Sequence, residues 1–149
     1  MNITSGGYSN LMLNYKEGID FSKYIVPTSD KNVDLLTTGP MPPNPVELLG
    51  SDNNKELLKK LKNKYDLILI DCAPIIGLSD ALIIATLADI RLLTVSAKKT
   101  KMENLERVQK LFKQNNLKID GVIFNKAQVQ GNSYYSYYYS DEYYGDQIK

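Results

Sequence analysis

Four consecutive aliphatic residues, Leu67-Ile68-Leu69-Ile70, run without a polar interruption into Asp71. A strand with one wet face alternates apolar and polar side chains, so an unbroken run predicts a strand covered on both faces, as in a parallel sheet. Parallel neighbours cannot be joined by a hairpin and need helical crossovers. The sequence downstream offers them. Ser79 can cap a helix through Ala81, Leu82, Ile83 and Leu87, and Ile90 to Val95 reads as the next strand. Thr100 and Glu103 form a capping box for a helix whose Leu105, Val108, Leu111 and Phe112 face inward. Gly121-Val122-Ile123-Phe124 closes the series as a strand. Strand, helix, strand, helix, strand predicts right-handed βαβ crossovers and a doubly wound α/β fold with a mainly parallel sheet.

Upstream, Val33 to Thr37 reads as a strand, stopped by Gly39 and a proline cluster. Residues 1–31 predict short helical turns around Leu11-Met12-Leu13 and Phe21-Tyr24-Ile25. The segment Gly39-Pro40-Met41-Pro42-Pro43-Asn44-Pro45 is an extended loop, because each proline disfavours helix in the residue before it. Asn44 then suits an N-cap with Pro45 at the first helical position and Glu47 three residues after the cap. Ser51 or Asp52 caps a second helix with Leu57, Leu58 and Leu61 on one stripe. Periodicity ends near Gln130, so residues 1–130 are expected to fold and residues 131–149 to form a flexible tail.

Several classes of function are excluded early. The net charge of +1 divides into −2 on the last sixteen residues (three acids against Lys149) and +3 on the rest, without the clustered basic face of a nucleic-acid binder. No apolar run approaches the ~20 residues of a transmembrane helix, and the first residues lack a secretory pattern. Cys72 is the single cysteine, which forbids an internal disulfide and fits a reducing, cytoplasmic setting.

Chemistry concentrates at the strand ends. Ligands of open α/β sheets sit beyond the carboxyl ends of the strands. Asp71 is placed there to hold Mg²⁺ directly or through water, as a Walker B aspartate does, or else to cap the turn that follows. Asn125 ends the last strand. Its carboxamide suits the edge of an adenine ring, and equally suits a turn. Lys98, Lys99 and Lys101 are either a solvated cluster or a phosphate-side rim. Cys72 reads as a small packed residue, since a chain without histidine has no imidazole to activate a thiol. Seven of the eleven tyrosines crowd the tail: Tyr134, Tyr135, Tyr137, Tyr138, Tyr139, Tyr143 and Tyr144. They read as a sticky terminus or as a phosphorylation cassette, in which each phosphate adds about −1.5 to −2 charges. About twenty flexible residues span roughly 25 Å, enough to reach a neighbouring molecule.

Three features, in order, resemble one family. They are Gly39 to Leu49; Tyr65 to Pro74 with Ser79-Asp80-Ala81; and Gly121 to Asn125 leading to the tyrosine cluster. Together they look like the cytoplasmic domain of the bacterial protein-tyrosine kinases of capsular and exopolysaccharide biosynthesis, a P-loop NTPase-type fold. The resemblance implies ATP and Mg²⁺ as cofactors, the Walker B role for Asp71, adenine contact for Asn125, and autophosphorylation of the tail tyrosines between subunits. It also implies three kinds of partner: intact kinase subunits, a homo-oligomer, and a membrane polysaccharide chain-length regulator. The chain departs from the family in having no G-x-x-x-x-G-K-[ST] and no aspartate-bearing Walker A′ motif, so its catalytic set is incomplete. The expectation is an N-terminally truncated or degenerate member, inactive alone. The alternatives are a non-enzymatic phospho-acceptor module modified by an intact kinase, and a relative of partition-type ATPases, against which the tyrosine cluster counts.

Overall fold

The computed structural model describes residues 6–127. It divides into two units, residues 1–89 and 90–149. In the first unit a short helix α1 (Tyr8–Leu13) is followed by a 3₁₀ turn (Phe21–Tyr24) and a small antiparallel ribbon of β1 (Val26–Pro27) and β2 (Asp34–Leu35). Helices α2 (Pro45–Gly50), α3 (Asp52–Lys62) and α4 (Asp80–Leu87) complete it, with α2 packed beside both α3 and α4.

The ends of these helices show how local chemistry sets their limits. Pro45 occupies the first position of α2, where its missing N–H costs nothing. The Asn44 side chain does not cap the backbone and instead donates to Glu47 Oε2 at 3.1 Å. Ser51 separates α2 from α3: its Oγ donates to Leu48 O (2.7 Å) and accepts from Asn54 N (3.2 Å). Helix α1 is capped by main chain, Tyr8 N donating to Thr37 O and Ser9 N to Thr38 O at 2.7 and 2.9 Å. That approach is close because Gly7 abuts Gly39 backbone to backbone. A Cβ on Gly7 would lie 2.6 Å from both Gly39 N and Cα, and its φ of +103° is one that side-chain-bearing residues avoid.

The core of this unit joins α1 to α3. Leu11, Met12, Leu57 and Leu61 are buried together, with Tyr8, Tyr15, Phe21, Leu48, Tyr65 and Ile68 packed partly against them. The stripe expected on α3 is thus present, Leu57 and Leu61 facing the core and Leu58 half-buried.

The second unit holds β3 (Leu92–Ser96), α5 (Met102–Gln114) and β4 (Gly121–Asn125). The two strands pair in parallel, from Leu92 beside Gly121 to Ser96 beside Asn125. This is the βαβ unit the sequence implies, with α5 as the crossover. Val95, Val108 and Phe112 are its buried apolar residues. Asn116 stops α5 in a left-handed conformation (φ 54°), while Leu117 N returns to Phe112 O at 2.9 Å and Asn116 N to Lys113 O at 3.2 Å. That pattern satisfies two of the last helical carbonyls.

Two local expectations are corrected. Thr100 is not the cap of α5, which Lys101 precedes without a side-chain hydrogen bond; Thr100 Oγ1 accepts from Ser96 N (3.0 Å) and closes the turn after β3. The turn's claim on that hydroxyl moves the helix start along by a residue. Residues 67–70 were expected to be a strand covered on both faces. Among the described residues they pair with no strand, and Leu67 and Leu69 are 73% and 83% exposed. A parallel strand is held by ladders to its neighbours, and without them its apolar side chains have nothing to cover them. Among the described residues, no helix is long and apolar enough to cross a membrane.

Candidate functional site

The segment carrying Asp71 is tethered at its start and open at its end. Tyr65 Oη donates to Asp34 Oδ2 on β2 at 2.7 Å, and Lys64 lies over the Phe21 and Tyr65 rings at 5.7 and 5.1 Å. Partial burial, followed by the bond to Asp34, holds the Tyr65 hydroxyl above its ordinary range. From Asp66 to Pro74 the residues are exposed, apart from Ile68 against the core. Asp71 is exposed and makes no hydrogen bond or ion pair among the described residues, so its oxygens are not committed to capping the following turn.

Cys72 follows as an exposed residue, not the packed one expected, its Sγ donating weakly to Ile70 O at 3.8 Å. Partial burial of the thiol, then the negative charges of Asp71 and Asp80, push its ionisation up. That opposes the thiolate a nucleophile requires. Asp71 and Asp80, the first residue of α4, are thus both near enough for their charges to act on the thiol. Ser79 precedes α4 without a side-chain capping bond.

Asn125 belongs to the second unit and ends β4 as expected. Its carbonyl accepts from Ala97 N (2.9 Å), extending the ladder, and its Oδ1 accepts from Lys126 N (2.8 Å). The carboxamide oxygen therefore fixes the turn at Lys126, whose φ is 58°. The Nδ2 group makes no hydrogen bond among the described residues and is the part left to meet a ligand. Lys98 and Lys99 lie exposed on the turn after β3, and Lys101 directly precedes α5. The tail tyrosines Tyr134, Tyr135, Tyr137, Tyr138, Tyr139, Tyr143 and Tyr144 lie outside the described residues.

The fit of these residues to Mg²⁺ and ATP is partial. No group of three potential metal ligands exists among the described residues. Mg²⁺ seldom uses such cages, keeping its waters and binding through one or two carboxylates plus the phosphates of a nucleotide. A single uncommitted carboxylate at Asp71 matches that habit. The phosphate half is not matched: nothing in the sequence offers the backbone nest and lysine of a Walker A loop.

The parallel βαβ unit, together with the solved structures it superposes on, puts the fold in the P-loop NTPase-type α/β class. A family model described as an AAA domain matches residues 8–122. The chain is 33% identical to the Staphylococcus aureus protein CapB over 138 residues, 93% of this chain and 59% of that protein. It is 36% identical to the Bacillus subtilis tyrosine-protein kinase YwqD over 111 residues, 74% of this chain and 47% of that one. The crystal structure of the VpsO kinase domain superposes with a TM-score of 0.77 at 29% identity, over 86% of this chain and 62% of the other. The chain belongs to the AAA-domain family, and the relatives and solved structures it is similar to are bacterial tyrosine-protein kinases. It spans about half the length of the curated relatives it matches.

Proposed function

We propose that this chain carries the magnesium-side carboxylate and the acceptor tyrosines of a bacterial tyrosine autokinase of capsule and exopolysaccharide synthesis, and that the 149-residue polypeptide does not transfer phosphate by itself. The observation that carries the second half is the missing phosphate grip: the sequence has an Asp71 and no G-x-x-x-x-G-K-[ST]. Phosphoryl transfer is almost entirely positioning and charge stabilisation, and losing one preorganised donor commonly costs about a hundred- to a thousandfold in rate.

In this reading Asp71 binds Mg²⁺ through its free carboxylate, and bound Mg²⁺ supplies charge neutralisation between nucleotide phosphates. Asn125 offers its Nδ2 to the adenine edge. The seven tail tyrosines are acceptors, phosphorylated by a subunit with a complete catalytic set. The tail's density of tyrosines also favours the narrower reading of a phospho-acceptor module without activity of its own. A membrane-embedded chain-length regulator is the partner that the family resemblance implies, and in this reading the chain works in the cytoplasm at the membrane.

Calorimetric titration with Mg·ATP tests the incomplete grip. Two or more charge-assisted phosphate contacts are lacking, at about 1.5–3 kcal/mol each. The chain is therefore expected to bind at least about a hundredfold more weakly than intact YwqD. Equal affinity, abolished by Asp71→Asn, would show that some other group grips the phosphates.

A further inference from the structure

Charge that nearly balances over the whole chain is unevenly placed within the second unit. From Lys98 to Lys118 there are seven basic residues against Glu103 and Glu106, whereas the rest of the chain holds eleven against fifteen. Helix α5 sorts them by face. Val108 and Phe112 are buried, and Arg107, Lys110 and Lys113, set three residues apart, are exposed on the opposite side. Lys99 and Lys101 add two more exposed cations just before the helix. Glu103 and Glu106 lie one turn before Arg107 and Lys110, yet no ion pair among the described residues engages any of these five cations. A face of this kind concentrates anions of high charge.

Phosphorylation would make the chain's own end such an anion. The chain leaves β4 beside the turn that leads into α5. Asn125 O accepts from Ala97 N (2.9 Å), and Thr100 N donates to Ser96 O (3.0 Å) within that turn. Tyr134 follows Asn125 by nine residues, a reach of roughly 30 Å when fully extended. The thirteen residues of α5 are about 20 Å long. Every turn of the helix is therefore within reach of the tyrosine cluster of the same molecule. Unmodified, the last sixteen residues carry three acids against Lys149, a weak match for this face. Seven phosphates add well over ten negative charges, at about −1.5 to −2 each. Tethering makes the encounter intramolecular, so even modest intrinsic affinity fills the face.

We propose that the exposed face of α5 carrying Arg107, Lys110 and Lys113 is the docking surface for the phosphorylated tyrosine tail of the same chain. The proposal rests on the acceptor reading of the tail given above. Docking draws the modified tail onto its own domain and away from a neighbouring kinase's active site. The unmodified tail lacks the charge to bind there.

The test titrates the full chain against a fluorescent synthetic peptide of residues 131–149, phosphorylated on all seven tyrosines, beside its unphosphorylated twin, with anisotropy as the readout. Only the phosphopeptide should bind, and salt at about 1 M should abolish binding as the Debye length falls to about 3 Å. Arg107→Gln, Lys110→Gln and Lys113→Gln together should weaken it about tenfold, each exposed charge pair being individually weak. Glu106→Gln should tighten it, a gain that misfolding cannot produce. Equal binding by the triple variant, or none by the wild type, overturns the inference. A wild-type chain that ignores the phosphopeptide but sediments with anionic lipid vesicles overturns it too and assigns the face to a membrane surface. After phosphorylation by intact YwqD the chain should take up less peptide, its own tail occupying the face; unchanged uptake overturns docking within one molecule. Because the peptide is phosphorylated by synthesis, a tail that YwqD leaves unlabelled sinks the acceptor reading separately, while the peptide result still decides what α5 binds.

Discussion

At the scale of the residue, two glycines with positive φ separate conformational strain from steric exclusion. Gly18 (φ +78°) has open space around it, so Gly18→Ala should cost only the left-handed penalty of about 1–2 kcal/mol. Gly7 adds to that penalty a Cβ driven to 2.6 Å from Gly39 main chain, which cannot swing aside as a flexible side chain would. Gly7→Ala should therefore lower the urea midpoint clearly more than Gly18→Ala, because it also pries α1 from its main-chain caps at Thr37 and Thr38. Equal midpoints would mean that the Gly7–Gly39 contact is not what seats α1. Tyr8, in the same clasp, has its hydroxyl pushed up to about 12 by burial, from an ordinary 10.0. An acid whose folded form holds its proton longer contributes stability that is complete below the lower value and lost as pH rises from about 10 towards 12. Stability measured across that window should fall, and Tyr8→Phe should flatten the fall.

At the scale of the element, Ser51 and Ser79 make a controlled pair. Both precede helices, and the sequence offers each as a cap, yet Ser51 alone bonds into its helix, at Asn54 N. Ser51→Ala should cost about 1 kcal/mol and Ser79→Ala no more than a few tenths, read as thermal midpoints. The pair also marks what is legible in a sequence. Helix existence was: α2, α3, α4 and α5 all lie where prolines, caps and apolar stripes put them, and the parallel pairing of β3 with β4 follows from two short apolar-rich strands joined by a helix. Cap chemistry was less so, because Thr100 and Asn44 found other partners within a few residues, a competition that spacing does not resolve. The run Leu67–Ile70 shows a different limit. Its composition states what environment it suits, but burial depends on strands being present to pair with it, and among the described residues none does. The Tyr65–Asp34 bond, thirty-one residues apart in sequence, had no local signal at all.

At the scale of the whole molecule, the resemblance to bacterial tyrosine-protein kinases was readable from three separated motifs, and the AAA-domain match over residues 8–122 and the similarity to CapB and YwqD agree with it. The candidate site was readable only in part. Asp71 has an uncommitted carboxylate, compatible with the magnesium role proposed for it, whereas Asn125 spends its side-chain oxygen on its own turn. The proposed function sets a magnesium ligand and a dense set of acceptors against a missing phosphate grip. The most direct measurement of that balance is transfer of labelled γ-phosphate from ATP with Mg²⁺ to the purified 149-residue chain, alone and with intact YwqD. The account predicts no phosphotyrosine in the chain alone and heavy labelling of residues 134–144 when the intact kinase is added. Label acquired by the chain alone, and lost in Asp71→Ala, would contradict it.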